Sequence, residues 1–190
     1  MRYLSQKIAE LYVKRNIINP DYKEVYRSGV ELILNEVFTF LLVFLISLFL
    51  GKFRYSVEFL SAFCLTRIYC GGFHAKTVFV CRSTMITVFL SVVGISYYVD
   101  RVSVVAVGIV LALSFLIMLP FIPVKHPNKT LTKEQISKNR IRGIFLYLLF
   151  SAISVVVYLF FSKQDGFVIC LSLCAVSALT IVGTIVNNRR

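Results

Sequence analysis

"VSVVAVGIVLALSFLIMLPFIPV", residues 102–124, carries no charged side chain from end to end. About 20 consecutive apolar residues are what an α-helix needs to cross some 30 Å of hydrocarbon. Residues 166–188 form a second uncharged run and residues 144–162 a third. The whole chain of 190 residues is 58% hydrophobic, with a mean hydropathy of +0.81. In lipid a backbone must satisfy its polar groups within its own segment, which helices do. The sequence therefore predicts an all-α, polytopic integral membrane protein. No linker or break in composition divides it, so residues 1–190 are read as a single membrane-embedded domain.

The remaining composition excludes several function classes. The formal net charge is +12. A nucleic-acid partner would account for that charge, but the basic residues fall between the apolar runs, where membrane proteins keep them on the cytoplasmic side. No nucleic-acid partner is expected. The first 29 residues hold no apolar core of signal-peptide type. Five cysteines, an odd number in or beside apolar segments, do not form a disulfide framework. No zinc-type spacing appears, and neither metal nor cofactor is expected.

The segments follow from the apolar runs. Arg2 to Arg15 predict an interfacial amphipathic helix, with Leu4, Ile8, Leu11 and Tyr12 on one face. Asn19-Pro20 restarts the chain as a cap followed by a first-turn proline. Six transmembrane segments are then expected: 30–50, 53–69, 83–99, 102–124, 143–162 and 166–188. The second is the weakest, because Arg54, Glu58 and Arg67 interrupt it. With the N-terminus in the cytoplasm and all six crossing, the 1–29 region, the 67–82 stretch, a basic loop at 125–142 and the tail hold 17 of the 21 Lys and Arg residues. If the second segment failed to cross while the first did, the basic loop would lie outside, against the positive-inside tendency.

The chemistry concentrates in "GGFHAKTVFVCR", residues 71–82, the most polar interruption in the first half of the chain. A thiolate is a nucleophile, and an imidazole can take its proton and return it to a leaving amine. His74 and Cys81 supply both parts. Gly71-Gly72 allows close backbone approach or leaves N–H groups for an oxyanion. Two readings are open from the residues alone: a catalytic pair, or a packing thiol with an incidental loop histidine. Cys70, beside the glycines, is a rival nucleophile. Cys64, Cys170 and Cys174 read as packing residues, and His126 as a solvated loop residue.

The run Arg67…Gly71-Gly72-Phe73-His74…Cys81 resembles the signature of the accessory gene regulator protein B family. "LPFIPVKHPNKTLTKEQISKNR", residues 119–140, resembles the Pro-containing basic loop of that family. The resemblance implies a membrane cysteine endopeptidase that processes the precursor of a quorum-sensing peptide. It implies His74 and Cys81 as the catalytic pair and Arg67 and Gly72 as residues needed for activity, with Gly71 beside them. The implied substrate has an amphipathic leader, a core with an internal Cys or Ser, and an acidic tail. Tail removal would proceed through an acyl-enzyme on Cys81, and thiolactone or lactone closure would follow. The implied location is the cell membrane, with both termini and the site cytoplasmic; a homo-oligomer is a further possible partner arrangement.

Geometry adds a constraint. On one straight helix, residues seven apart are separated by about 10.5 Å along the axis, whereas a nucleophile–base contact needs about 3 Å. The 74–81 run should therefore bend, with Cys81 near the start of the next helix. There the helix dipole and Lys76 or Arg82 favour the thiolate. Arg67 has two readings, an ion pair with Glu31 or Glu36, or a contact to a substrate carboxylate. The alternative to the peptidase as a whole is a non-enzymatic small transporter or channel. The 71–82 loop would then line its pathway, and the charges in the first two segments are its support.

Overall fold

The computed structural model describes residues 2–71, 77–124 and 132–188. All regular structure among them is helical: α1 (Arg2–Lys14), α2 (Lys23–Phe49), α3 (Phe53–Cys70), α4 (Val78–Ser96), α5 (Val104–Met118), α6 (Lys133–Phe160) and α7 (Lys163–Asn188). Short 3-10 turns occupy Pro20–Tyr22, Val99–Arg101 and Leu119–Phe121. The chain divides into two compact units, residues 1–46 and 47–190.

In the first unit, α1 has the amphipathic spacing expected of it. The residues it buries, however, are the small Ser5 and Ala9, while Leu4 and Leu11 stay about half exposed at 50% and 48%. An exposed apolar stripe is what a helix lying in a membrane interface presents to the acyl boundary. Asn19 takes an extended backbone and its side chain accepts the Asp21 N–H at 3.2 Å, which starts the turn that leads into α2. Glu10 accepts from Gln6 at 3.2 Å and pairs with Lys23 at 3.2 Å, linking α1 to the start of α2. These partners hold its carboxyl below the ordinary carboxylate value, Gln6 first and then Lys23. The link is therefore intact at neutral pH and is lost as pH falls through the lowered Glu10 pKa.

The second unit is built around α7. Helices α3, α4, α5 and α6 all pack on it. Half of its apolar window is buried, against 17–22% for α4, α5 and α6. Small residues make this possible. A Cβ on Gly166 would lie 2.5 Å from the Tyr158 nitrogen, so α6 and α7 touch backbone to backbone just after the turn that joins them. The Ser154 hydroxyl donates to the Gly166 carbonyl there at 2.7 Å. Such contacts, rather than hydrophobic exclusion, drive helix association in lipid. Aromatic rings join α3 to α4: Phe59 stacks on Phe63 at 4.9 Å and meets Phe89 at 5.4 Å. Large apolar side chains such as Leu113, Leu116 and Phe145 stay more than half exposed, as lipid-facing residues should.

Five described helices, not six, are long and apolar enough to cross a membrane: Pro20–Phe49, Val78–Ser96, Val104–Phe121, Lys133–Phe160 and Lys163–Val186. The expected second segment, α3, is not among them, because it carries Arg54, Glu58 and Arg67. Protein covers one side of it, while Val57, Leu65 and Ile68 stay exposed on the other. Tyr55, Ser56, Phe59, Leu60, Ala62, Phe63, Thr66 and Cys70 are buried, against α7, α6 and α4. At its start Arg54 pairs with the buried Asp165 at 2.6 Å, near the start of α7. At its end Gly71 meets Thr180 of α7. From Arg54 to Gly71 a helix rises roughly 25 Å, so α3 accompanies α7 from Asp165 to Thr180, the larger part of that helix.

A second correction concerns the basic loop expected at 125–142. From Lys133 onward it is helix. Thr132 and Gln135 form a capping box, with the Thr132 hydroxyl accepting the Gln135 N–H at 3.2 Å and the Gln135 side chain accepting the Thr132 N–H at 3.1 Å. Lys133, Lys138, Arg140 and Arg142 therefore ride on the first turns of α6. At 28 residues, α6 is about 42 Å long, more than hydrocarbon requires.

Candidate active site

The motif begins where α3 ends. Gly71 closes α3, and its N–H donates to the Arg67 carbonyl at 2.9 Å. Its backbone lies at φ 78°, ψ −174°, a region in essence closed to residues with a Cβ. A Cβ there would also sit 3.0 Å from the Val124 Cβ and 3.1 Å from the Val124 nitrogen. Gly71 is thus required by conformation and by close approach together. Its N–H is committed to α3, so it does not serve as an oxyanion donor, one of the two roles open from sequence.

Several elements converge on this corner. The Val124 N–H donates to the Cys70 carbonyl at 3.1 Å. The Thr180 hydroxyl of α7 lies 3.3 Å from the Gly71 carbonyl. Gly143 of α6 packs on Cys70, where an added Cβ would lie 2.9 Å from the sulfur. The Arg142 guanidinium sits over the Tyr69 ring at 5.8 Å, and that of Arg67 over the Phe63 ring at 5.4 Å. The two stretches singled out from sequence, 67–82 and 119–140, therefore meet here through Cys70, Gly71 and Val124, with Arg142 and Gly143 of α6 just beyond the second.

Cys81 lies in the first turn of α4. Thr77, in an extended conformation, caps that helix by accepting the Val80 N–H at 3.3 Å, and the Thr77 carbonyl accepts the Cys81 N–H at 3.2 Å. The extended Thr77 and the start of α4 at Val78 put a helix boundary between positions 74 and 81, with Cys81 just beyond it, as the seven-residue spacing argued. Cys81 is half-buried. Cys70, its rival, is fully buried beneath Gly143. Cys170 is buried on α7, and the Cys174 thiol faces the Ser114 hydroxyl at 3.8 Å. His74, Gly72, Lys76 and His126 lie outside the described residues.

Four residues of this corner escaped the sequence reading: Val124, Arg142, Gly143 and Thr180. Arg142 was counted only as loop charge. Gly143, at the edge of an apolar run, carried a weak signal of close packing. Thr180, one of four hydroxyl residues in the apolar run 166–188, carried none, because the Gly71 carbonyl it faces is 109 positions away.

Five long apolar helices and a partly buried, charge-bearing companion define a polytopic helical membrane protein. The chain belongs to the accessory gene regulator B family, whose model matches residues 5–183. It is 25% identical over 169 residues to accessory gene regulator protein B of Staphylococcus aureus (strain bovine RF122 / ET3-1), covering 86% of this chain and 88% of that one. Its identity to accessory gene regulator protein B of Staphylococcus intermedius is 23% over 148 residues, 78% of each chain. Nothing among solved structures matches it.

Proposed function

We propose that this protein is a membrane cysteine endopeptidase that removes the C-terminal tail of a quorum-sensing peptide precursor and promotes closure of the product ring. His74 takes the Cys81 proton, and the thiolate attacks the carbonyl at the core–tail junction. The tetrahedral intermediate collapses as His74 protonates the departing amine, and the acidic tail leaves. The core stays on Cys81 as a thioester. The internal thiol or hydroxyl of the core gives its proton to His74 and attacks that thioester. The Cys81 sulfur leaves and is reprotonated, so neither water nor a cofactor is consumed. With an internal thiol one thioester replaces another, and tail removal then gives the sequence its direction. A site at the boundary of apolar helices limits competing water. The exposed apolar stripe of α1 suits a neighbouring amphipathic leader on the same membrane surface.

The observation that carries this reading is the contrast between two thiols. Cys81 is half-buried in the first turn of a capped helix, where the N-terminal dipole favours an anion. Cys70, eleven positions earlier, is sealed between α3 and α6. The test is co-expression with the candidate precursor and mass spectrometry of the products. Cys81→Ala abolishes tail release while the protein stays in the membrane, and Cys70→Ala retains most activity. The reverse pattern would move the nucleophile to Cys70. Full activity in both variants would exclude both thiols as the nucleophile, and absence of tail release by the wild-type protein would favour a transporter or channel instead.

A further inference from the structure

We propose that the starts of α3 and α7 form a binding site for the phosphate of an anionic phospholipid, with Lys52 and Arg54 as its main cationic groups and Lys163 beside them. The site lies a helix length away from Gly71 and is independent of the His74–Cys81 reading. A cavity of about 400 Å³ opens there, with Lys52, Arg54, Tyr55, Ser162, Gln164 and Asp165 in its wall.

The charge of this wall is unbalanced. Lys52 and Arg54 line it, and Lys163 stands between two lining residues in the chain, against one lining carboxylate, Asp165. That carboxylate is already engaged: its side chain is 6% exposed and pairs with Arg54 Nη2 at 2.6 Å. Glu58, a turn deeper on α3, does not line the cavity. The Arg54 side chain is 77% exposed, so the remaining donors of its guanidinium stay accessible. A cationic headgroup finds no partner here. Asp165 is taken by Arg54, and the aromatic faces that attract an ammonium are taken by Lys52, whose Nζ lies 5.0 Å from the Tyr55 ring centroid and 5.5 Å from that of Tyr97. A phosphate does find partners, in a lysine point charge and an arginine fork.

Position across the membrane selects a lipid as the source of that phosphate. The rise of roughly 25 Å from Arg54 to Gly71 approaches the 30 Å or so of hydrocarbon, which sets the two ends of α3 near opposite boundaries. Tyr97 and Tyr98, at the end of α4, are both exposed, as tyrosines of a membrane interface are. The Lys52–Tyr97 contact ties the cavity to that level. Phe49, Phe160 and Phe161, just before the turns into α3 and α7, are exposed too and suit acyl chains rather than water. In the expected topology only Lys52, Arg54, Arg101 and Lys163 lie on this side of the membrane. Three of these four belong to the segments 51–55 and 162–165 that wall the cavity. The positive-inside tendency keeps basic residues scarce there, so their concentration at one cavity has a local cause.

The experiment uses the full-length protein as a fluorescent-protein fusion in detergent, heated and followed by size-exclusion chromatography. Phosphatidylglycerol, phosphatidylcholine with the same chains, or phosphatidylcholine plus inorganic phosphate is titrated in. A ligand that binds only the folded state raises the melting midpoint. Phosphatidylglycerol should raise the wild-type midpoint by about 5 °C more than phosphatidylcholine, and inorganic phosphate should add nothing. Lys52→Gln/Lys163→Gln leaves the Arg54–Asp165 pair intact. It should weaken the apparent affinity for phosphatidylglycerol about thirtyfold, from about fivefold for each basic residue near an anionic lipid. Arg101→Gln removes a charge outside the cavity wall and should keep the wild-type affinity. Equal midpoints in the two lipids overturn the proposal. So does an excess that survives in the double variant, or a fivefold loss in Arg101→Gln, which is the signature of general charge. If inorganic phosphate reproduces the excess, the ligand is a free anion and the lipid assignment fails. The midpoint in phosphatidylcholine reports folding separately. Should the double variant fail to accumulate in the membrane, Lys52→Gln and Lys163→Gln are read singly, at about fivefold each.

Discussion

Replacing Gly71 by alanine probes the corner on which the motif is mounted. The substitution adds one methyl group to a backbone at φ 78°, ψ −174°. Holding a residue with a Cβ in a sparsely populated region costs about 1–3 kcal/mol. The new Cβ would also lie 3.0 Å from the Val124 Cβ and 3.1 Å from its nitrogen, both under van der Waals contact. Overpacking of that kind costs a further 1–3 kcal/mol or so. The sum, about 2–6 kcal/mol, is a large part of the roughly 5–15 kcal/mol by which proteins are folded. Gly94 and Gly108 provide the control, since an added Cβ at either meets nothing within 4 Å. Alanine at those helical positions should be neutral or stabilising by up to about 1 kcal/mol. The chain has no tryptophan, so the assay is a fluorescent-protein fusion, heated in detergent and followed by size-exclusion chromatography. Gly71→Ala should lower the midpoint by on the order of 10 °C and lose tail release at temperatures where Gly94→Ala keeps both. Adding Val124→Gly relieves only the side-chain contact, so it should recover less than half of the loss. If Gly71→Ala melts and cleaves like Gly94→Ala, the backbone at 71 does not take this conformation, and the argument for the Gly71 corner fails.

Other outcomes follow from the same geometry. Gly143→Ala should destabilise, because its Cβ would lie 2.9 Å from the Cys70 sulfur; Cys70→Ala should restore stability in the double variant, and a double-mutant cycle with coupling near zero would refute that contact. For sidedness, single cysteines in a cysteine-less background should label from outside intact cells at Lys52→Cys and Gln164→Cys and stay protected at Lys129→Cys and Lys133→Cys; ready outside labelling at 133 would invert the proposed topology. A precursor whose internal Cys or Ser is alanine should leave a thioester-linked core on Cys81, seen as a hydroxylamine-labile mass shift of leader plus core. Tail release with neither adduct nor linear hydrolysed core would rule out the acyl-enzyme.

Much was legible in the sequence because its cause is local. Uncharged runs long enough to cross hydrocarbon identified the membrane class, and Asn19-Pro20 marked a real restart of the chain. The seven-residue spacing of His74 and Cys81 argued for a helix break between them, and α4 does begin only at Val78. The Thr132…Gln135 pattern was a capping signal that the charge count obscured: the density of Lys and Arg suggested a loop where a capped helix already stands. Hydropathy misjudged α3 for a physical reason. Hydropathy measures what lipid accepts, and α3 buries one whole side against other helices, where Arg54 at its start finds Asp165, 111 positions further along. Gly71 could be marked from sequence as a glycine beside a glycine. Its positive φ, its contact with Val124 and the Thr180 hydroxyl facing its carbonyl belong to the packing of α3 against α7 and the 119–124 segment. Periodicity and spacing fix what a segment is, because helix geometry repeats along the chain. Which distant side chain meets which carbonyl depends on how close the backbones come, and that was decided only when small residues such as Gly143 and Gly166 let the helices touch.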